Sequence, residues 1–189
     1  PADLTAATGM DALAHNLEAY CARGFHPMAD GMALEGMRLI KEWLPTAVAD
    51  GSDISARAHM LVASMMGATA FQKGLGAIHA LSHPVGALYN AHHGLTNAIF
   101  MPYVLAFNRQ DIEAPLARLA SHLGLPGSGA DGLIQWVLEL RQEIGIPHSL
   151  ADLGVEESGV DELVALAEID QARACNPRPL SRQDLAQLY

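Results

Sequence analysis

Asp11 and His15 stand four residues apart, so on a helix they project the same way, about one turn along it, and can offer a carboxylate and an imidazole to one ion. Alone the pair is half a site. The run from Gly76 to Gly94 adds His79, His83, His92 and His93 in an otherwise apolar, glycine-punctuated stretch. One carboxylate with three imidazoles suits Fe(II), Zn(II) or a similar first-row divalent ion and leaves coordination positions open for substrate. That is the composition of a catalytic rather than a structural site. Spacing does not choose among the four histidines, because His79 and His83 are themselves four apart and make an equally good pair.

Helices must carry these groups for them to meet. Apolar residues recur at three and four in Leu13, Leu17 and Tyr20, in Met32, Met37, Ile40 and Trp43 or Leu44, and in Leu61, Met65, Ala68 and Phe71. Thr5 or Thr8 is expected to cap the first helix, Pro27 to sit in the first turn of the second with Pro45 bending or ending it, and Asp53 or Ser55 to open the third. Further helical periods run from Leu95 to Phe107, Ile112 to Leu123, Gly132 to Ile144, Val160 to Ala172 and Ser181 to Leu188. Alternating β-branched runs are absent and aromatic residues make up only 5%. The expectation is therefore an all-α, helical bundle-like domain over 1–189, with the Gly/Pro breaks at Pro126 to Gly132 and Asn176 to Pro179 serving as connectors.

Composition removes several function classes. The 189 residues are half hydrophobic, enough for a real core, and their formal net charge of −10 leaves no basic stripe for phosphates. Nucleic acid and anionic membrane surfaces are excluded as partners, and small molecules and protein neighbours remain. Cys21 and Cys175 form no C-x-x-C pattern, and no signal core or spanning run is present, so a cytoplasmic protein is expected. Gly127 to Gly132 follows no predicted strand and reads as a turn, not a phosphate cradle. The eight methionines, Met60, Met65 and Met66 among them, read as core filler, Trp43 and Trp136 as core or cleft walls, and His26, His59, His122 and His148 as capping or surface residues.

The ordered strings Leu4 to Tyr20 with Asp11, His15 and Glu18, Gly76 to Ala87 with His79, His83, Pro84 and Gly86, and His93-Gly94-Leu-Thr-Asn97-Ala resemble the iron-containing alcohol dehydrogenase family. The resemblance extends to Asp170 and Asn176-Pro177-Arg178-Pro179, which are similar to that family's C-terminal signature. It implies the family's helical C-terminal domain, of the dehydroquinate synthase-like type, with Asp11, His15, His79 and His93 as metal ligands. It also implies that His83 lies near the nicotinamide, as the cofactor-contacting and proton-relay residue, and that His92 is not a ligand. Glu18 or a backbone carbonyl is expected to orient a ligand imidazole. Arg178 is expected either to border the substrate or cofactor mouth or to pair with an acidic neighbour, and Cys175 either to lie near the cleft or to be a plain thiol.

The family's N-terminal α/β domain, with its Gly-Gly-Gly-Ser phosphate loop, has no counterpart in these residues. The resemblance therefore implies that this chain is the metal-binding half of an NAD(P)-linked alcohol dehydrogenase, inactive alone, oxidising an alcohol to an aldehyde or ketone reversibly. The expected cofactors are a divalent metal, Fe2+ first with Zn2+ or Ni2+ as alternatives, and NAD or NADP in the two-domain enzyme. The expected partners are a small alcohol or aldehyde and a second copy of the chain, through an apolar surface. The alternatives are a maleylacetate reductase-like member, against which the intact ligand set argues, and a free-standing helical metal- or partner-binding domain without redox turnover.

Overall fold

The computed structural model describes residues 1–189, all helix, turn and loop with no strand. The helices are α1 (Ala2–Cys21), α2 (Pro27–Ala49), α3 (Ile54–Ala70), α4 (Ala77–Tyr89), α5 (His93–His122), α6 (Gly129–Glu143), α7 (Val160–Glu168) and α8 (Arg182–Leu188), joined by short 3-10 turns. Helix α1 is the hub, packed against α2, α3 and α5, while α4 lies on α5 and α7. Along α1, Met10, Leu13, Ala14, Leu17 and Ala19 are buried, so it runs through one contiguous core rather than over it. Its Asp11, His15 and Glu18, spaced four and three, share the face that meets the starts of α4 and α5.

Several starts follow their side chains. His26 caps α2, its Nδ1 accepting from the Ala29 amide at 3.2 Å, with Pro27 at the first helical position. Asp53 caps α3 by accepting from the Ala56 amide, and Ser181 opens α8 through a reciprocal capping box with Asp184. Helix α1 departs from expectation by starting at Ala2, with Thr5 and Thr8 inside it and the Thr8 hydroxyl donating back to Leu4 O at 2.8 Å.

Two expected helix ends are absent. Helix α2 continues through Pro45 to Ala49, because the core-facing Leu44 and Ala47 on either side of it are buried. The two helices predicted over 95–123 are one, α5, which passes through Pro102 and Pro115. At the expected break, buried Asn108 forms a reciprocal amide pair with Asn176, at 3.0 and 2.7 Å, and Val104, Leu105, Ile112 and Leu116 on either side enter the core. Tertiary burial outweighs the roughly 3 kcal/mol that an interior proline costs a helix.

Helix α3 is rotated from its predicted face. Its inner side is Ala56, Ala63, Gly67 and Ala70, whereas Leu61 is 68% and Met65 69% exposed, alongside exposed Ile54 and Val62. Small residues line the inner face because α1 comes so close that buried Asn16 reaches Ala63 O at 3.1 Å. Met65 and Met28 are thus not core filler, although Met10, Met37 and Met101 are.

The contact that sets α5 against α1 is Gly94. A β-carbon there would lie 2.0 Å from Ala7 O, a backbone atom that cannot swing aside. Gly94→Ala is expected to cost about 2–3 kcal/mol or more by forcing the helices apart, a fall of roughly 5–10 °C in Tm for a chain of this size. Thermal unfolding measures it, and an unchanged Tm would mean that the helices do not meet as closely as described.

Candidate metal centre

Asp11 and His15 come from the middle of α1, His79 from the first turn of α4 and His93 from the first residue of α5. Asp11 Oδ1 lies 3.8 Å from His15 Nε2, 3.7 Å from His79 Nε2 and 3.4 Å from His93 Nε2. Ligand atoms about 2.1 Å from a shared tetrahedral ion stand about 3.4 Å apart, so each imidazole nitrogen stands near that separation from Asp11 Oδ1. Asp11, His15 and His79 offer atoms all within 4.8 Å of one another, and His93 joins through Asp11. The His15 and His79 rings stack at 4.8 Å, and Phe71 stands 5.1 Å from His15.

The far side of His79 explains how its ring is aimed. Its Nδ1 is 2.7 Å from Glu18 Oε2, which also accepts from the Gly76 amide at 2.9 Å, while Glu18 Oε1 accepts from the Ile78 amide at 2.6 Å. Gly76 has no side chain with which to cap α4, so Glu18 of α1 caps it from outside and, in the same act, turns His79 Nε2 towards Asp11. Asn176 completes the cap by accepting from the Ala77 amide at 3.1 Å. The C-terminal Asn-Pro-Arg-Pro segment thus steadies the helix that carries His79. Arg178 forms no pair with an acid; it stacks on Phe107 at 4.0 Å and donates to Phe107 O.

The other histidines separate cleanly. His83, one turn after His79, turns outward, with Nδ1 2.8 Å from Asp170 Oδ2 and its ring stacked on His93 at 5.3 Å. It is 45% exposed and lines a pocket with Phe71, Leu75, Asp170, Gln171 and Cys175 that opens beside the centre. His92 points away, since its Nδ1 accepts from the Gly94 amide as the cap of α5. The glycine-rich turn before α6 receives a carboxylate from within the chain, Glu113, which accepts from the Ala130 amide.

Charge is divided unevenly over the four groups. Burial works to raise the Asp11 carboxyl, but His79 and the other imidazoles around it hold it below the usual range. Burial likewise works against a charged His79, yet Asp11 and Glu18 on its two sides outweigh that and raise it to about 9. His93 is pushed down to about 4 and His15 is lowered, both by burial that Asp11 only partly offsets. At neutral pH the set therefore holds one proton, on His79, and two neutral imidazoles. The Cys21 thiol, partly buried, is pushed up to about 12 by desolvation and is no nucleophile.

Sequence reasoning missed the parts that come from far along the chain. Asn97 donates through Nδ2 to Asp11 Oδ1 at 2.7 Å; its position four residues after His93, on the same helix face, was the available signal. Asp170 and Asn176 were visible only as pieces of a signature.

Residues 5–189 match the family model described as Fe-containing alcohol dehydrogenase family, C-terminal. The chain is 42% identical over 195 residues to NAD-dependent methanol dehydrogenase of Bacillus methanolicus, covering all of this chain and 51% of that protein. It is 44% identical over 196 residues to 4-hydroxybutyrate dehydrogenase of Cupriavidus necator, covering 97% and 50%. Among solved structures it is similar to 1,3-propanediol oxidoreductase, with a TM-score of 0.95 and 38% identity over all of this chain and 51% of that one. The chain spans about half the length of the curated relatives it matches. No helix is long and apolar enough to cross a membrane.

Proposed function

Because this chain belongs to the Fe-containing alcohol dehydrogenase family and matches its C-terminal part, we propose that residues 1–189 form one metal-binding unit of an NAD- or NADP-linked alcohol dehydrogenase, with Asp11, His15, His79 and His93 as the ligands of one divalent ion. The observation that carries this reading is the approach of three imidazole nitrogens to Asp11 Oδ1 at 3.4–3.8 Å. Neutral imidazoles with one carboxylate suit Fe2+ first, and Zn2+ or Ni2+ as well. The same convergence speaks against the maleylacetate reductase-like alternative.

When bound, the ion supplies a Lewis acid that polarises the oxygen of an alcohol or carbonyl substrate. The chain's own residues do the rest. Glu18 fixes the His79 tautomer by accepting from Nδ1, leaving Nε2 for the centre. Asp170 does the same for His83, whose Nε2 is then free in the half-open pocket to pass the released proton outward. Phe71 and Leu75 form the apolar wall against which the nicotinamide and substrate carbon would be held, with the cofactor's phosphates gripped by an α/β domain. A nicotinamide held there would supply the hydride acceptor or donor, so a small primary alcohol, diol or hydroxy acid fits the chemistry. Self-association would use the apolar outer face of α3, where Ile54, Leu61, Val62 and Met65 are exposed.

The test is metal content by elemental analysis after loading with Fe(II) or Zn(II). About one ion per chain is expected, and no alcohol-dependent NAD reduction by these 189 residues alone. A stoichiometry near zero would count against the ligand set, and clear turnover against the two-domain account.

A pH dependence follows from the His79 proton. The metal must displace it, so apparent affinity should rise about tenfold per pH unit between pH 7 and 9 and level off above about 9. In the metal-free protein the same proton works the other way. With a folded pKa of about 9 against about 6.5 unfolded, its stabilisation is complete below pH about 6.5 and is lost as pH rises through 9. Chelator competition from pH 6 to 10 measures the affinity, and a flat profile would mean that His79 does not give up a proton to the ion.

A further inference from the structure

The carboxamide of Asn97 stands apart from the ligand set just assigned, yet its surroundings tie it to that set. Asn97 is fully buried in the second turn of α5, four residues after His93 and on the same side of the helix. Its Nδ2 donates to Asp11 Oδ1 at 2.7 Å and lies 3.0 Å from His93 Nε2. An amide nitrogen carries two hydrogens, and here both are directed at atoms of the metal centre. His79 Nε2, at 3.4 Å, borders the same nitrogen without a hydrogen left to share.

The other end of the amide makes the arrangement informative. Asn97 Oδ1 is buried and has no hydrogen-bond partner. Buried amides ordinarily satisfy both ends, so this one forgoes a partner for its oxygen in order to keep its nitrogen facing inward. The reversed orientation would set Oδ1 against Asp11 Oδ1 at 2.7 Å, acceptor against acceptor, so the carboxylate decides which way the amide faces.

Resting on the metal reading above, we propose that Asn97 is a positioning residue of the metal centre. One N–H holds Asp11 Oδ1 in line, and the other holds His93 Nε2 beside it in the metal-free chain, a contact given up when that lone pair goes to the ion. Asp11 on α1 and His93 on α5 are thereby aimed together before a cation arrives. Without the amide, the carboxylate of a partly buried aspartate and a more exposed imidazole are free to turn away. The group recognised is a divalent cation, and what Asn97 contributes is a prearranged pair of ligands from two different helices.

Co(II) titration followed by visible absorption tests this, because the d–d bands report the geometry around the ion as well as its affinity. The unsubstituted protein is expected to bind one Co(II) per chain. Asn97→Leu keeps the volume and removes both N–H groups, and should raise the Kd for Co(II) about tenfold or more. It should also shift the d–d bands at saturation, since Asp11 is free to change how it binds. Asn97→Ala, which adds no apolar volume beside Asp11, is the second variant and should show the same rise and shift if the leucine is rejected by the fold. A folded variant with unchanged affinity and spectrum, beside an unsubstituted protein that binds Co(II), would overturn the role of Asn97 and leave the metal reading standing. Failure of the unsubstituted protein to bind Co(II) would overturn both.

Discussion

His79→Ala should release the metal, lowering affinity for a divalent ion by at least about 100-fold, more than the loss of an orienting residue costs, whereas His92→Ala should leave affinity unchanged. His79 is 1% exposed and stands between two carboxylates, with Nδ1 on Glu18 and Nε2 facing Asp11. Alanine removes a proposed ligand and the only group linking the α4 cap to the centre. His92, by contrast, does no more than accept from the Gly94 amide as the cap of α5. Its loss should cost about 1 kcal/mol of stability, as helix caps do. Chelator competition on both variants gives the comparison, and equal losses of affinity would mean that the wrong histidine of this stretch has been assigned.

Glu18→Ala should be the costliest single change to the fold among the site residues. Three donors converge on this carboxylate: the Gly76 and Ile78 amides at the start of α4 and the His79 ring. All are buried, and alanine leaves them without an acceptor. Stranding buried polar groups on this scale costs about 3–5 kcal/mol, or roughly 6–20 °C in Tm for a chain of this length. Metal affinity should fall by about 10–100-fold in the same variant, because the His79 ring loses the partner that orients it. Melting of the metal-free protein and titration of the metal read the two effects separately. A variant that melts like the parent would show that α4 does not depend on Glu18 for its start.

Residues close in sequence made their part of the site legible. Asp11 and His15 share a helix face by their spacing alone, and Glu18, three further on, could be guessed as an orienting group for the same reason. The later histidines were ambiguous because His79 and His83 are equally well spaced, and what separates them comes from elsewhere. Glu18 lies 61 residues from His79, and Asp170 lies 87 from His83. No local pattern encodes such pairings. The resemblance of the sequence strings to a known family made the choice that spacing could not.

The fold shows the same division. Helix content and the caps at Asp53 and Ser181 follow from local chemistry. The end expected at Pro45 and the break expected between Phe107 and Ile112 were misjudged because breaker rules and gaps in an apolar period describe an isolated helix, whereas these segments are held by the burial of their neighbours. The outward turn of Leu61 and Met65 was hidden because large apolar side chains normally mark the inner face. Here α1 and α3 approach so closely that alanine and glycine take that place.

Anomalous scattering from crystals of the loaded protein, recorded at the iron and zinc absorption edges, tests the central claim most directly. The account predicts one peak per chain, about 2.0–2.3 Å from an Asp11 oxygen and from a ring nitrogen of each of His15, His79 and His93, at the edge of the metal supplied. A peak bound elsewhere, or imidazoles of α1, α4 and α5 that do not share a single neighbour, would contradict it.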